Sequence, residues 1–267
     1  MNADPISLHG CGRVALITGG GAGLGRAVAE VLGQAGYRIL IADVDTGAGS
    51  AAADAMSGAG IAACFVRTDV ADPDQAAGAV SAAVTQWGRL DFVLNNAGIA
   101  GRGATIEDLD EADLARVIAV DLLGPFHVCK AAVRAMKGHG GAILNVASIT
   151  AFTGSAYYPA YSAAKAGVIA LTRSIARKTG RLNIRVNCLN PGSISGTGLM
   201  RVSRGGRELT PEEKREEAIG LMKQIPLGRP ARPQDIAQFV LFLASPLAAH
   251  IHGAVLTIDG GESLGYH

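Results

Sequence analysis

Val14-Ala-Leu-Ile-Thr18 runs directly into Gly19-Gly-Gly-Ala-Gly-Leu-Gly25, a short apolar stretch that ends in a turn carrying five glycines. An unbroken apolar run, as opposed to strict alternation, marks a strand buried on both faces, and hence a parallel sheet covered by helices on both sides. Glycines at 19, 23 and 25 let backbone N–H groups at the start of the next helix approach an anion closely, and the helix dipole favours negative charge there. Gly19, Gly23, Leu24 and Gly25 are therefore candidate cofactor-binding residues, with a pyrophosphate as the group this turn suits.

The same rhythm extends outward. Strand-like runs at Val14–Thr18, Arg38–Ala42, Ala62–Arg67, Phe92–Leu94, Ala142–Val146, Ile184–Leu189 and Ala254–Ile258 alternate with helical segments at Leu24–Ala35, Thr46–Ser57, Pro73–Trp87, Glu111–Lys137 (one or two helices), Pro159–Lys178 and Pro233–Ala244. This pattern predicts an α/β Rossmann fold, a doubly wound seven-stranded parallel sheet in one domain spanning residues 1–267. Only Ser193–Gln224, rich in Gly, Arg, Lys and Glu, breaks it. Coming straight after a strand, it is expected to form a lid of one or two short helices over the ligand crevice, its charges facing solvent.

The bulk numbers exclude several classes. With 24 basic against 23 acidic residues, the net charge is +1, so no global field gathers nucleic acid or anionic lipid. Cys11, Cys64, Cys129 and Cys188 are scattered without CxxC spacing, which predicts reduced thiols and a cytoplasmic protein. Residues 1–12 lack the basic and apolar regions of a secretory leader, and no apolar run approaches the ~18 residues of a membrane span. His127, His139, His250 and His252 have no metal or triad spacing, so no metal is expected.

Two further constellations carry chemistry. Asp43 closes the second strand near the ~20-residue offset at which a carboxylate accepts hydrogen bonds from an adenosine ribose. A 2′-phosphate there would meet like charge, so NAD is expected over NADP, with Arg26 placed inside the first helix. Tyr161-Ser-Ala-Ala-Lys165 sets a phenol and an ammonium one helical turn apart, downstream of Ser148. A phenol with an ordinary pKa of about 10 is a poor base at neutral pH unless a fixed positive charge stabilises its anion, and Lys165 at i+4 can supply that charge.

Taken in order, Thr18-Gly-x-x-x-Gly-x-Gly25, Asp69-Val70, Asn95-Asn-Ala-Gly98, Ser148, Tyr161-x-x-x-Lys165, Asn190-Pro-Gly192 and Ile258-Asp-Gly-Gly261 resemble the motifs of the short-chain dehydrogenase/reductase family, from Val14 to Gly261. The resemblance implies that Asp69 and Val70 contact the adenine ring. It implies further that Asn95, Ala97 and Gly98 line the adenosine ribose side, and that Pro191, Gly192 and Ile194 hold the nicotinamide. It makes Tyr161 the general acid/base, Ser148 the group that orients the substrate oxygen, and Lys165 both the residue that lowers the tyrosine pKa and a ligand of the nicotinamide ribose. The implied activity is NAD(H)-dependent hydride transfer to or from a secondary alcohol or ketone. A 3-oxoacyl thioester reductase is the alternative. A dehalogenase-like lyase and a dinucleotide sensor without turnover fit less well, because Gly19, Gly23, Gly25, Tyr161 and Lys165 are all present. The family's oligomers imply a homotetramer or dimer built through the alanine-rich helical segments Ala112–Ala135 and Ala163–Ala176.

Two positions depart from the family pattern. Asp121 stands where an asparagine is usual, and it is expected either to hold the same water or to pair directly with Lys165; Asp121 is carried as a candidate catalytic residue. The threonine that usually follows the Pro-Gly segment is displaced, leaving Ser195 and Thr197 as candidates, with Thr197 preferred. Phe152, Tyr157, Leu199 and Met200, among glycines, suit a small or medium, partly apolar substrate.

Overall fold

The computed structural model describes residues 10–196, 203–204, 207–208 and 210–265. Its first strand, β1 (Val14–Thr18), is buried at all five positions. Alternate side chains of β1 point to opposite faces: Ala15 and Ile17 join a cluster with Leu24, Val28, Leu32, Ile236 and Val240. Val14 and Leu16 join one with Val80, Val128 and Met136 on the other side. Both faces of one strand thus enter a core, and this is why the run is apolar throughout.

β1 is followed by β2 (Arg38–Asp43), β3 (Ala63–Arg67), β4 (Phe92–Asn95), β5 (Gly141–Val146) and β6 (Ile184–Pro191); β7 (Ser203–Arg204) and β8 (Arg207–Glu208) form a separate antiparallel ribbon, and β9 (Val255–Ile258) comes last. The seven-stranded sheet has the order β3-β2-β1-β4-β5-β6-β9 and is parallel throughout, the doubly wound architecture expected from the sequence. The strand order reverses beside β1, between β2 and β4, and the carboxyl ends of the strands part there to leave a crevice.

The helices are α1 (Gly23–Gln34), α2 (Thr46–Gly58), α3 (Pro73–Trp87), α4 (Glu111–Ile118), α5 (Gly124–Met136), α6 (Thr150–Thr153), α7 (Pro159–Thr179), α8 (Pro211–Gln224) and α9 (Pro233–Ala244). The stretch Glu111–Lys137, expected as one or two helices, is two, α4 and α5, joined by a π-helical turn at Ala119–Leu123. Pro125 has no N–H to give to the carbonyl of Asp121 four residues earlier, so an uninterrupted α-helix is closed off at that point. Such turns concentrate at functional sites, and this one carries Asp121. The four-residue α6 begins two residues after Ser148 and is too short to print an apolar period into the sequence. In the segment expected to form a lid, the described residues make the β7–β8 ribbon and α8, whose start is fixed by a reciprocal cap between Thr210 and Glu213. Among the described residues no helix is long and apolar enough to cross a membrane.

Candidate active site

A cavity of about 680 Å³ opens at the carboxyl ends of the sheet. The glycine turn forms part of its lining. Gly19 and Gly23 have φ of +63° and +54°, in the left-handed region that a side chain disfavours. A Cβ on Gly19 would come within 2.9 Å of the Ala97 backbone. Gly19, Gly23 and Leu24 line the cavity, whereas Gly25 is a packing residue: its Cβ would overlap the Gly19 carbonyl. The N-cap of α1 is Ala22, which offers no side-chain acceptor, and the first turn holds no acidic residue. The free N–H groups of this helix end therefore face the cavity, a fit for a pyrophosphate in both charge and shape.

Asp43 forms one edge. Its Oδ2 accepts the Gly21 N–H at 2.9 Å and its Oδ1 the Asp45 N–H at 3.0 Å, so the carboxylate is held rigidly while still lining the cavity. The nearby cations are turned elsewhere: Arg26 pairs with Glu30 within α1 at 2.9 Å, and Arg67, the register partner of Asp43, reaches Gln75 at 3.4 Å. Asp69 and Val70 line the neighbouring wall, where the Asp69 N–H donates to Gln75 Oε1 at 3.0 Å.

The Asn95-Asn-Ala-Gly98 motif needs one correction. Asn95, expected at the ribose, is 2% exposed, and its Nδ2 donates inward to Asn145 Oδ1 at 2.7 Å. Asn95 is the last residue of β4, which is buried on both faces, whereas Asn96 lies just past the strand's carboxyl end and lines the cavity. The Asn96 amide donates to the Thr18 and Gly19 carbonyls at 3.1 Å and so holds the glycine turn against β4. Ala97 and Gly98 line the cavity as expected. The second asparagine of the pair was the available signal for Asn96.

At the other end Ser148, Tyr161 and Lys165 share one wall. The short α6 and the start of α7 bring them together, with Tyr161 3% and Lys165 3% exposed. Lys165 Nζ lies 5.3 Å from the Tyr161 ring centre, donates to Val146 O at 3.1 Å, and sits 3.1 Å from Asp121 Oδ2. Asp121 is fully buried and uses Oδ1 to accept the Ile99 N–H at 2.8 Å. Of the two expectations for Asp121, the structure has the direct pair. Asp121 does not line the cavity, and what its carboxylate meets there is Lys165, which does. Gly98 leaves room for this pair, since a Cβ there would lie 2.8 Å from Asp121 Oδ2.

The electrostatics at Tyr161 set burial against Lys165. Burial pushes the Tyr161 phenol above its ordinary value; Lys165 pulls it down, Asp121 pushes it up again, a hydrogen bond with Ser148 lowers it, and the balance stays raised. For Lys165, burial disfavours the ammonium, but Asp121 and Tyr161 outweigh it and the pKa is raised. Burial raises Asp121 while Lys165 opposes it. The lysine thus acts on the tyrosine in the expected direction without reversing the effect of burial.

Pro191, at the end of β6, and Gly192 and Ile194 just beyond it line the cavity. Ser195 instead bonds Ala231 O through its N–H at 2.8 Å and its hydroxyl at 3.2 Å, and Thr197 lies outside the described residues. Glu262, which the sequence did not single out, holds Ser193.

Comparison with known proteins follows the same outline. Residues 19–263 match a family model described as enoyl-(acyl carrier protein) reductase. The chain is 41% identical over 259 residues to trans-4-hydroxycyclohexanecarboxylate dehydrogenase of Sinomonas cyclohexanicum, covering 95% of this chain and 93% of that one. It is 37% identical over 251 residues to the 3-oxoacyl-[acyl-carrier-protein] reductase FabG of Thermotoga maritima, covering 94% and 97%. The crystal structure of levodione reductase superposes with a TM-score of 0.89 at 34% identity, covering 95% of this chain and 98% of that one.

Proposed function

The chain belongs to the short-chain dehydrogenase/reductase family, and from that premise we propose that it is an NAD(H)-dependent dehydrogenase of cyclic secondary alcohols, working as a cytoplasmic homotetramer. The observation that carries this is one cavity lined both by the glycine turn and Asp43 and by Ser148, Tyr161 and Lys165. A dinucleotide is the group that spans two such sets. Asp43, with both neighbouring arginines engaged elsewhere, favours a free 2′-hydroxyl. Exposed Leu114, Leu123 and Phe126 on the α4–α5 stretch support an apolar contact between copies. Relatives named for hydroxycyclohexanecarboxylate and levodione support a ring alcohol or ketone, and those named for 3-oxoacyl carriers keep a thioester ketone as the second reading.

When bound, the nicotinamide supplies the hydride acceptor or donor. The protein's own groups handle the proton and the charge. In oxidation the Tyr161 phenolate takes the alcohol proton while the Ser148 hydroxyl donates to the substrate oxygen. Lys165, fixed by Val146 O and Asp121, supplies the positive field that stabilises the phenolate. In reduction Tyr161 returns the proton.

The test is absorbance at 340 nm with cyclohexanols, their carboxylates and a 3-oxoacyl thioester, each with NAD and NADP. Turnover of ring alcohols with NAD is expected. A clear preference for NADP would overturn the reading of Asp43, and turnover of the thioester alone would select the second reading.

Asp121 makes a pH dependence of its own. Oxidation needs the phenolate, so its rate climbs with pH through a limb set by Tyr161, whose pKa burial and Asp121 both raise. Asp121→Asn removes the second contribution and keeps the Ile99 bond. The limb should therefore move to lower pH, with kcat/KM for oxidation at pH 7 rising roughly threefold. A shift to higher pH would mean that Lys165 loses its proton once the carboxylate is gone.

A further inference from the structure

The closing Ile258-Asp-Gly-Gly261 turn has a task in this chain that its glycines alone do not explain. Asp259 accepts the N–H groups of Gly261 and Ser263, both at 2.8 Å, and so builds a tight turn. Gly260 and Gly261 have φ of +64° and +89°, and Cβ atoms there would come within 2.9 Å of Ile225 and 2.8 Å of Pro226. The turn therefore requires glycine at both positions, and it directs the next residue, Glu262, back at the loop after β6. Glu262 Oε2 accepts the Ser193 N–H at 2.7 Å and Oε1 the Ser193 hydroxyl at 2.8 Å.

The loop so held borders the cavity on its far side. Gly192, Ser193 and Ile194 all line it. A second attachment comes from Ala231, whose N–H donates to Ser193 O at 2.9 Å. Gly192 is required for the close approach, because a Cβ there would lie 2.6 Å from Glu262 Oε2. Two short bonds from a carboxylate to one residue are charge-assisted and directional, stronger than neutral bonds of the same kind. They fix the loop before any ligand arrives.

We infer that Glu262 is a positioning residue for the dinucleotide, clamping Gly192–Ile194 in the conformation that receives the nicotinamide end. The inference rests on the proposed dinucleotide reading and adds a residue that no motif supplies. A glutamine can keep both contacts, its Oε1 accepting the Ser193 N–H and its Nε2 donating to the Ser193 hydroxyl; an alanine keeps neither.

The test compares wild type, Glu262→Ala and Glu262→Gln by NADH fluorescence titration, by amide hydrogen exchange over residues 191–195 and by thermal melting. Glu262→Ala should weaken NADH binding roughly tenfold, raise KM for the dinucleotide more than that for the alcohol, and speed exchange at Ser193, while Glu262→Gln restores all three. Wild-type affinity in Glu262→Ala, or a lowered melting temperature with unchanged affinity, would overturn the inference. So would a glutamine variant no better than alanine. If wild type itself binds neither NADH nor NADPH, the proposed function falls, and the clamp is then decided by whether Glu262→Ala, without ligand, speeds exchange.

Discussion

Tyr161→Phe is expected to lower kcat/KM for alcohol oxidation by about 10³-fold or more, the scale on which a positioned general base acts. The substitution removes one oxygen from a side chain that is 3% exposed and packed among Val117, Ala160 and Ala164, so the fold and the cavity wall remain. What disappears is the only phenol lining the cavity among the described residues, and with it the proton acceptor at the substrate oxygen. NADH binding should change little, because Lys165 and the glycine turn are untouched. The pH dependence is the sharper readout. Burial raises the Tyr161 pKa, so the wild-type oxidation rate climbs toward alkaline pH. In the variant that limb should vanish, leaving a flat residual rate. Initial rates at 340 nm between about pH 6 and 10 decide it, and residual activity above a tenth of wild type would remove Tyr161 from its role.

The sheet was legible because its determinants are local and repeated. β1, buried on both faces, needs apolar residues at every position, and the glycine turn needs conformations that only glycine adopts cheaply. Both constraints print directly into residue types. Asn95 was misplaced because the motif identifies a pair of asparagines while the point at which β4 ends decides which of them is buried in the sheet. The π turn that carries Asp121 was illegible for a related reason. It differs from an α-helix by one inserted residue, and the apolar period on either side hardly registers it. Glu262 lay furthest from reach. Its partner is 69 residues away, and an acidic residue near a chain's end looks like any solvated carboxylate until the turn that aims it is known.

Lys165→Ala should cost both activity and stability, and the two losses can be separated. Removing the ammonium leaves Asp121, fully buried, facing the space of its lost partner with only the Ile99 N–H still bonded to it. An unpartnered buried charge costs about 3–5 kcal/mol, or a melting temperature lower by roughly 10 °C for a chain of this size. The carboxyl has a way out: burial already raises its pKa and Lys165 was opposing that rise, so in the variant it binds a proton more tightly still. A carboxyl whose pKa is higher folded than unfolded favours the folded state at low pH and loses that advantage as pH rises through the folded value. The deficit of Lys165→Ala should therefore deepen as pH rises above about 4, the ordinary carboxylate value. Adding Asp121→Asn replaces the stranded charge by a neutral amide, so the double variant should recover most of the melting temperature and lose the added pH dependence. It should not recover turnover, since the positive field at Tyr161 is still missing. Recovery of turnover in the double variant would mean that the lysine serves only to neutralise Asp121. Failure to recover stability would mean that the cost of Lys165→Ala lies in the cavity left by its side chain and not in the charge.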